Sequence, residues 1–82
     1  MKSLLTFELS KDGDELFIHG NSVGLQDLAS KLVRLAEKAK VGQHDHEHLM
    51  TEEWAGHELS SKTQSDDTQL LNHVKIYGWP NK

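Results

Sequence analysis

Apolar and polar residues alternate over residues 3–9, with Leu5, Phe7 and Leu9 on one side and Leu4, Thr6 and Glu8 on the other. Period two is the signature of a half-buried strand. Lys11-Asp12-Gly13-Asp14 interrupts it. Asp-Gly suits a two-residue type I′ hairpin turn, whose central residues both need positive φ. A loop at Asp12-Gly13 sets a register: Lys11 opposite Asp14, Leu9 opposite Leu16, Phe7 opposite Ile18. Glu8 with Phe17 and Thr6 with His19 then pair on the other face.

Gly20-Asn21-Ser22 ends the second strand and offers a helix cap at Asn21 or Ser22. Leu25, Leu28, Ala29, Leu32, Leu35, Ala36 and Ala39 follow at helical spacing, with Asp27, Lys31, Arg34 and Lys38 on the opposite stripe. Asp27 can support Lys31 one turn on, and Gly42 is the expected stop.

Alternation returns at residues 44–50, with His44, His46, His48 and Met50 on one side and Asp45, Glu47 and Leu49 on the other. Neither side is properly apolar, so the pattern leaves the inward face open. Residues 51–69 are polar. A structureless connection of that length is uncommon in a compact domain, so a short helical turn within it or a mobile loop is expected. Residues 70–77 form a last strand, with Leu70, Val74 and Ile76 on one side and Leu71, His73, Lys75 and Tyr77 on the other.

The order strand, strand, helix, strand, strand predicts an α+β fold over a single domain, residues 1–82. One helix covers one face of a four-stranded, largely antiparallel sheet. The other face stays open to solvent. The hairpin register places Phe17 and His19 there, and an inward Val74 and Ile76 add His73, Lys75 and Tyr77. With His46 and His48, and with Trp54 and the acidic loop at the rim, these residues make a candidate docking surface.

Charge narrows the partners. The 82 residues carry a formal net charge of −4, with 9 Lys and Arg against 13 Asp and Glu. Nucleic-acid binding, which draws on clustered cations, is disfavoured. The absence of cysteine excludes disulfides, thiolate nucleophiles and cysteine-based zinc sites, and fits a reducing cytoplasm. The opening residues do not read as a signal peptide, and no run approaches membrane-spanning length.

His44-Asp45-His46-Glu47-His48 is the one stretch with chelating character. On a strand, His46 and His48 share a face about 6.5–7 Å apart, and His73, His44 or His19 could supply a third ligand. A metal site at His46, His48 and His73 is therefore the alternative to a docking strand whose histidines face solvent. No nucleophile elbow, phosphate loop or paired-carboxylate signature is present, so no enzymatic activity and no cofactor are expected. A homodimer formed through the open face is the third reading.

His46-Glu47-His48-Leu49-Met50-Thr51, then Trp54-Ala55-Gly56 and Glu58-Leu59-Ser60, then His73-Val74-Lys75-Ile76-Tyr77, together resemble the immunity protein 32 family. Asp12-Gly13-Asp14-Glu15-Leu16 and Ile18-His19-Gly20 extend the resemblance over nearly the whole chain. It implies a cytoplasmic antidote that binds and blocks the toxin of a bacterial polymorphic toxin system, and it identifies no catalytic residues. One position departs from the pattern. An apolar residue is expected between the paired histidines, and Glu47 stands there. A carboxylate facing the core is costly unless paired.

Overall fold

The computed structural model describes residues 2–81. Its elements are β1 (Leu5–Ser10), β2 (Leu16–Gly20), α1 (Ser22–Lys40), β3 (Asp45–Met50), β4 (Thr68–Leu70) and β5 (His73–Gly78). A single 3-10 turn, Glu52–Trp54, follows β3.

β1 and β2 pair antiparallel in the expected register, with Leu9 opposite Leu16, Phe7 opposite Ile18, Glu8 opposite Phe17 and Thr6 opposite His19. The turn joining them differs. Only Gly13 has positive φ there (79°), so the tight type I′ geometry is not formed. Ser10 C=O instead accepts from the Gly13 amide at 2.9 Å, and the Ser10 amide donates to Glu15 C=O at 2.9 Å. In the wider loop Lys11 pairs with Asp67 (2.7 Å) rather than meeting Asp14.

Asn21 caps α1 and ties it to β1. Its Oδ1 accepts from the Gly24 amide (2.9 Å) and the Leu4 amide (3.0 Å). The helix ends where Gly42, at φ 87°, turns back so that its amide reaches Ala39 C=O. Asp27 and Lys31 pair at 2.7 Å. The apolar stripe does not point straight down. The face turned to the sheet runs Gly24, Leu28, Lys31, Leu35 and Lys38, while Leu25, Ala29, Leu32 and Ala36 are exposed. Arg34 and Lys38, expected opposite the core, reach over onto β3. In this rolled position the cations pair with the acidic residues of β3.

The four-stranded sheet divides in two. One sheet has the order β2-β1-β4 and the other pairs β3 with β5. The expected last strand is broken at Leu71 and Asn72. Its first part runs against β1, continued by the Leu71 amide to Phe7 C=O (2.9 Å), and its second part pairs with β3. Where it leaves β1, Leu59 and Ser60 fill the gap. The Ser60 amide donates to Leu5 C=O and the Leu59 amide to Met50 C=O. The break also changes parity, so Leu71, expected on the open side, packs against the core with Val74 and Ile76. That core is Leu5, Phe7, Leu49 and Leu59. The polar loop thus supplies one core residue and one helical turn.

Candidate functional site

Parity along β3 decides what the open side displays. Asp45, Glu47 and Leu49 turn toward α1. Leu49 is buried, and Arg34 donates through Nε to Glu47 Oε2 at 2.7 Å, with a second bond from Nη2 to the same oxygen. Asp45 accepts from Lys38 Nζ at 2.7 Å and from Arg34 Nη1 at 3.3 Å. Lys38 first, then the His46 amide and Arg34, hold the Asp45 carboxyl well below the usual carboxylate range. The unusual Glu47 is therefore on the core side and paired. His46, His48 and Met50 must face the other way.

β5 sets Tyr77 beside His46, Lys75 beside His48 and His73 beside Met50. The result is an unbroken series of seven rings. Trp54 lies 5.9 Å from His73, His73 5.1 Å from His48, and His48 4.8 Å from His46. His46 continues to Tyr77 (5.5 Å), Tyr77 to Trp79 (5.8 Å), and Trp79 to His44 (5.7 Å). Lys75 Nζ sits 5.1 Å from the Tyr77 centroid, a cation–π distance. Trp54, Tyr77 and Trp79 are all about half exposed or more.

His48 Nδ1 and His73 Nε2 share a hydrogen bond at 2.9 Å. One ring must donate and the other accept, so the pair is intact only while at least one is neutral. Burial, then the neighbouring charges of His46, Lys75 and His73, push the His48 pKa down. His46, His48 and His73 lie together as expected. Among the described residues, however, no three His, Asp or Glu side chains converge so as to hold one ion.

The expected surface is split. Phe17 and His19 stack on each other (6.4 Å, 4° between planes) on the β1–β2 sheet, away from the seven rings. That face is covered, not open. Glu8 is fully buried on it and gathers the loop: Oε2 accepts from Thr6 Oγ1 (2.6 Å) and the Gln64 amide (2.9 Å), and Oε1 from Thr68 Oγ1 (2.8 Å) and the Ser65 amide (3.1 Å). His19 and Ser65 share a hydrogen bond at 2.5 Å. Sequence reasoning missed this anchor, whose signal was a run of short hydroxyl and amide donors at residues 60–68. It also left His44 and Trp79 out of the face: Trp79 stands outside the alternating segments, and His44, although it shares the side of His46 and His48, was considered only as a possible third metal ligand.

Among the described residues no helix is long and apolar enough to cross a membrane. No curated protein and no solved structure matches the chain. The family model described as immunity protein 32 matches residues 15–74, a span that holds β2, α1, β3, the Glu8-anchored loop and the start of β5. The chain belongs to the immunity protein 32 family.

Proposed function

We propose that the protein is a cytoplasmic antidote that binds a cognate bacterial toxin and blocks it by covering its active site or substrate groove. The contact surface is the open side of β3 and β5: His46, His48, His73, Lys75 and Tyr77, with Trp54 and Trp79 at its ends. The observation that carries this reading is the exposed series of seven rings on a face that its own loop leaves bare. Rigid aromatic side chains supply contact area at small entropic cost and are enriched at the energetic centres of interfaces. Family membership supplies the kind of partner. Inhibition by occlusion uses no chemistry of the antidote's own.

Co-expression with the toxin encoded beside it tests the proposal. Growth should be rescued and the two proteins should co-purify. Trp54→Ala and Tyr77→Ala should each weaken the complex at least tenfold while leaving the unfolding midpoint nearly unchanged, since both rings are exposed. A wild-type protein that neither rescues nor co-purifies refutes the reading. Rescue undiminished in the double variant moves the contact to another face.

A further inference from the structure

Two of the edge strands, β3 and β2, are treated differently. β3 carries Asp45 and Glu47 turned inward onto cations, and at Met50 its outer side is closed by the Glu58 carboxylate and the Leu59 amide. Inward charges and covered ends are ordinary protections of a sheet edge. β2, Leu-Phe-Ile-His-Gly, has no Lys, Asp, Glu or Pro. Its ladder bonds fix which of its groups are free. The Ser10 amide donates to Glu15 C=O and the Asn21 amide to Leu4 C=O. By alternation, Phe17 and His19 turn their backbone groups to β1, and Leu16, Ile18 and Gly20 turn theirs outward. Among the described residues no other segment takes those outward groups. The same residues expose apolar side chains, Leu16 at 52% and Ile18 at 48%.

We propose that β2 pairs with β2 of a second copy of this chain, antiparallel about a two-fold axis at Ile18. That register sets Ile18 opposite the partner's Ile18, and Leu16 opposite the partner's Gly20. It satisfies the outward amides and carbonyls of all three residues in each copy; a register centred on Phe17 leaves those of Gly20 outside the paired strands. Size fits as well. With no side chain of its own, Gly20 is overlaid by Leu25, since a Cβ there would lie 2.8 Å from Leu25 Cγ. Leu16 of the other copy then packs on the exposed flank of Leu25 that the roll of α1 leaves uncovered. Charge fits too. Continuing the register brings Asp14 and Glu15 alongside Ser22 and Asn21 of the other copy, at the start of a helix whose first turn has no acid of its own. The contact is isologous, so it closes as a dimer. It lies in the other sheet from β3 and does not rest on the toxin reading.

Sedimentation velocity from about 10 µM to about 1 mM should show the wild-type mass doubling, as a short strand-to-strand contact gives a weak dimer. Over the same range, the Leu16, Ile18 and Gly20 amides should gain protection from hydrogen exchange. Ile18→Lys should stay monomeric, because the two-fold sets its charge against itself. Ile18→Pro should do the same, because that amide is not used by β1. An equimolar mixture of Ile18→Lys and Ile18→Glu should regain the heavier species. A wild-type protein that is monomeric throughout, or a dimer that survives both Lys and Pro, overturns the proposal. The wild-type exchange experiment stands even where a variant misfolds.

Discussion

Glu8 is the most consequential polar side chain in the molecule, and its substitution by Gln is a demanding test of how the loop is held. Each carboxylate oxygen accepts two hydrogen bonds, and each serves one backbone amide: Gln64 at Oε2 and Ser65 at Oε1. In Glu8→Gln one oxygen becomes an NH2 group. Whichever it is, it meets a backbone N–H that cannot turn round to accept. The variant loses a charge-assisted bond and leaves a buried donor facing a donor, each worth about 1.5–3 kcal/mol. The titration of Glu8 leads to the same size of effect. Burial alone would raise its pKa, yet the Thr6 hydroxyl, the Gln64 amide, the Thr68 hydroxyl and the Ser65 amide lower it from 4.5 to about 2. That difference is linked to roughly 3 kcal/mol of folding free energy.

The sign follows from the direction of the shift. A depressed folded-state pKa stabilises above the unfolded value of 4.5, and the contribution is lost as pH falls toward about 2. Urea unfolding at pH 7 should therefore place Glu8→Gln about 3 kcal/mol below wild type. For a domain of this size that is a fall in Tm of roughly 10–20 °C. The gap should narrow steadily between pH 4.5 and pH 2. Hydrogen exchange should accelerate first at the Gln64 and Ser65 amides. A variant within about 0.5 kcal/mol of wild type at pH 7, or a gap unchanged at the acid end, would refute the reasoning.

Three further outcomes follow from other contacts. Gly24→Ala should destabilise by about 2 kcal/mol or more despite the roughly 1 kcal/mol that Ala gains in a helix, because its Cβ would lie 2.0 Å from Leu4 C=O; a thermal melt showing stabilisation would be incompatible with the close approach of α1 to β1. A double-mutant cycle on Arg34 and Glu47 should return a favourable coupling, kept small by the 44% exposure of the guanidinium although Glu47 is only 18% exposed; zero coupling would remove the pair as the reason Glu47 is tolerated. NMR titration should put the His48 midpoint below the ordinary 6.5, and Lys75→Ala should move it up by deleting a neighbouring positive charge; a downward move would contradict that cause.

Much of the fold was legible because its signals were local. The hairpin register follows from centring the loop on Asp12-Gly13, so it survived even though the turn widened about that centre. The helix limits were written in Asn21 and Gly42. What parity could not reveal was a slip within a strand. Leu71 and Asn72 sit between two segments of opposite parity, and a period-two pattern read through them assigns Leu71 to the wrong side. The roll of α1 was hidden for a different reason. An apolar stripe shows what a helix would gain by burial, not how much sheet lies beneath it. Likewise Glu8 looks like any solvent-facing carboxylate until a loop more than fifty residues away closes over it.

The face that carries the rings was decided by residues that do not belong to it. Strand geometry offers β3 two orientations, and they are not close in energy. As found, Leu49 is fully buried, a contribution of about 2 kcal/mol, and the two carboxylates beside it meet Arg34 and Lys38. Turned over, the strand would press His46 and His48 onto the core without partners, strand two α1 cations and expose Leu49. Each of those changes is unfavourable. The Glu47 that breaks the apolar pattern is thus compatible with the fold only because Arg34 lies one helix face away. That same pairing obliges His46 and His48 to point outward, into line with Tyr77 and His73.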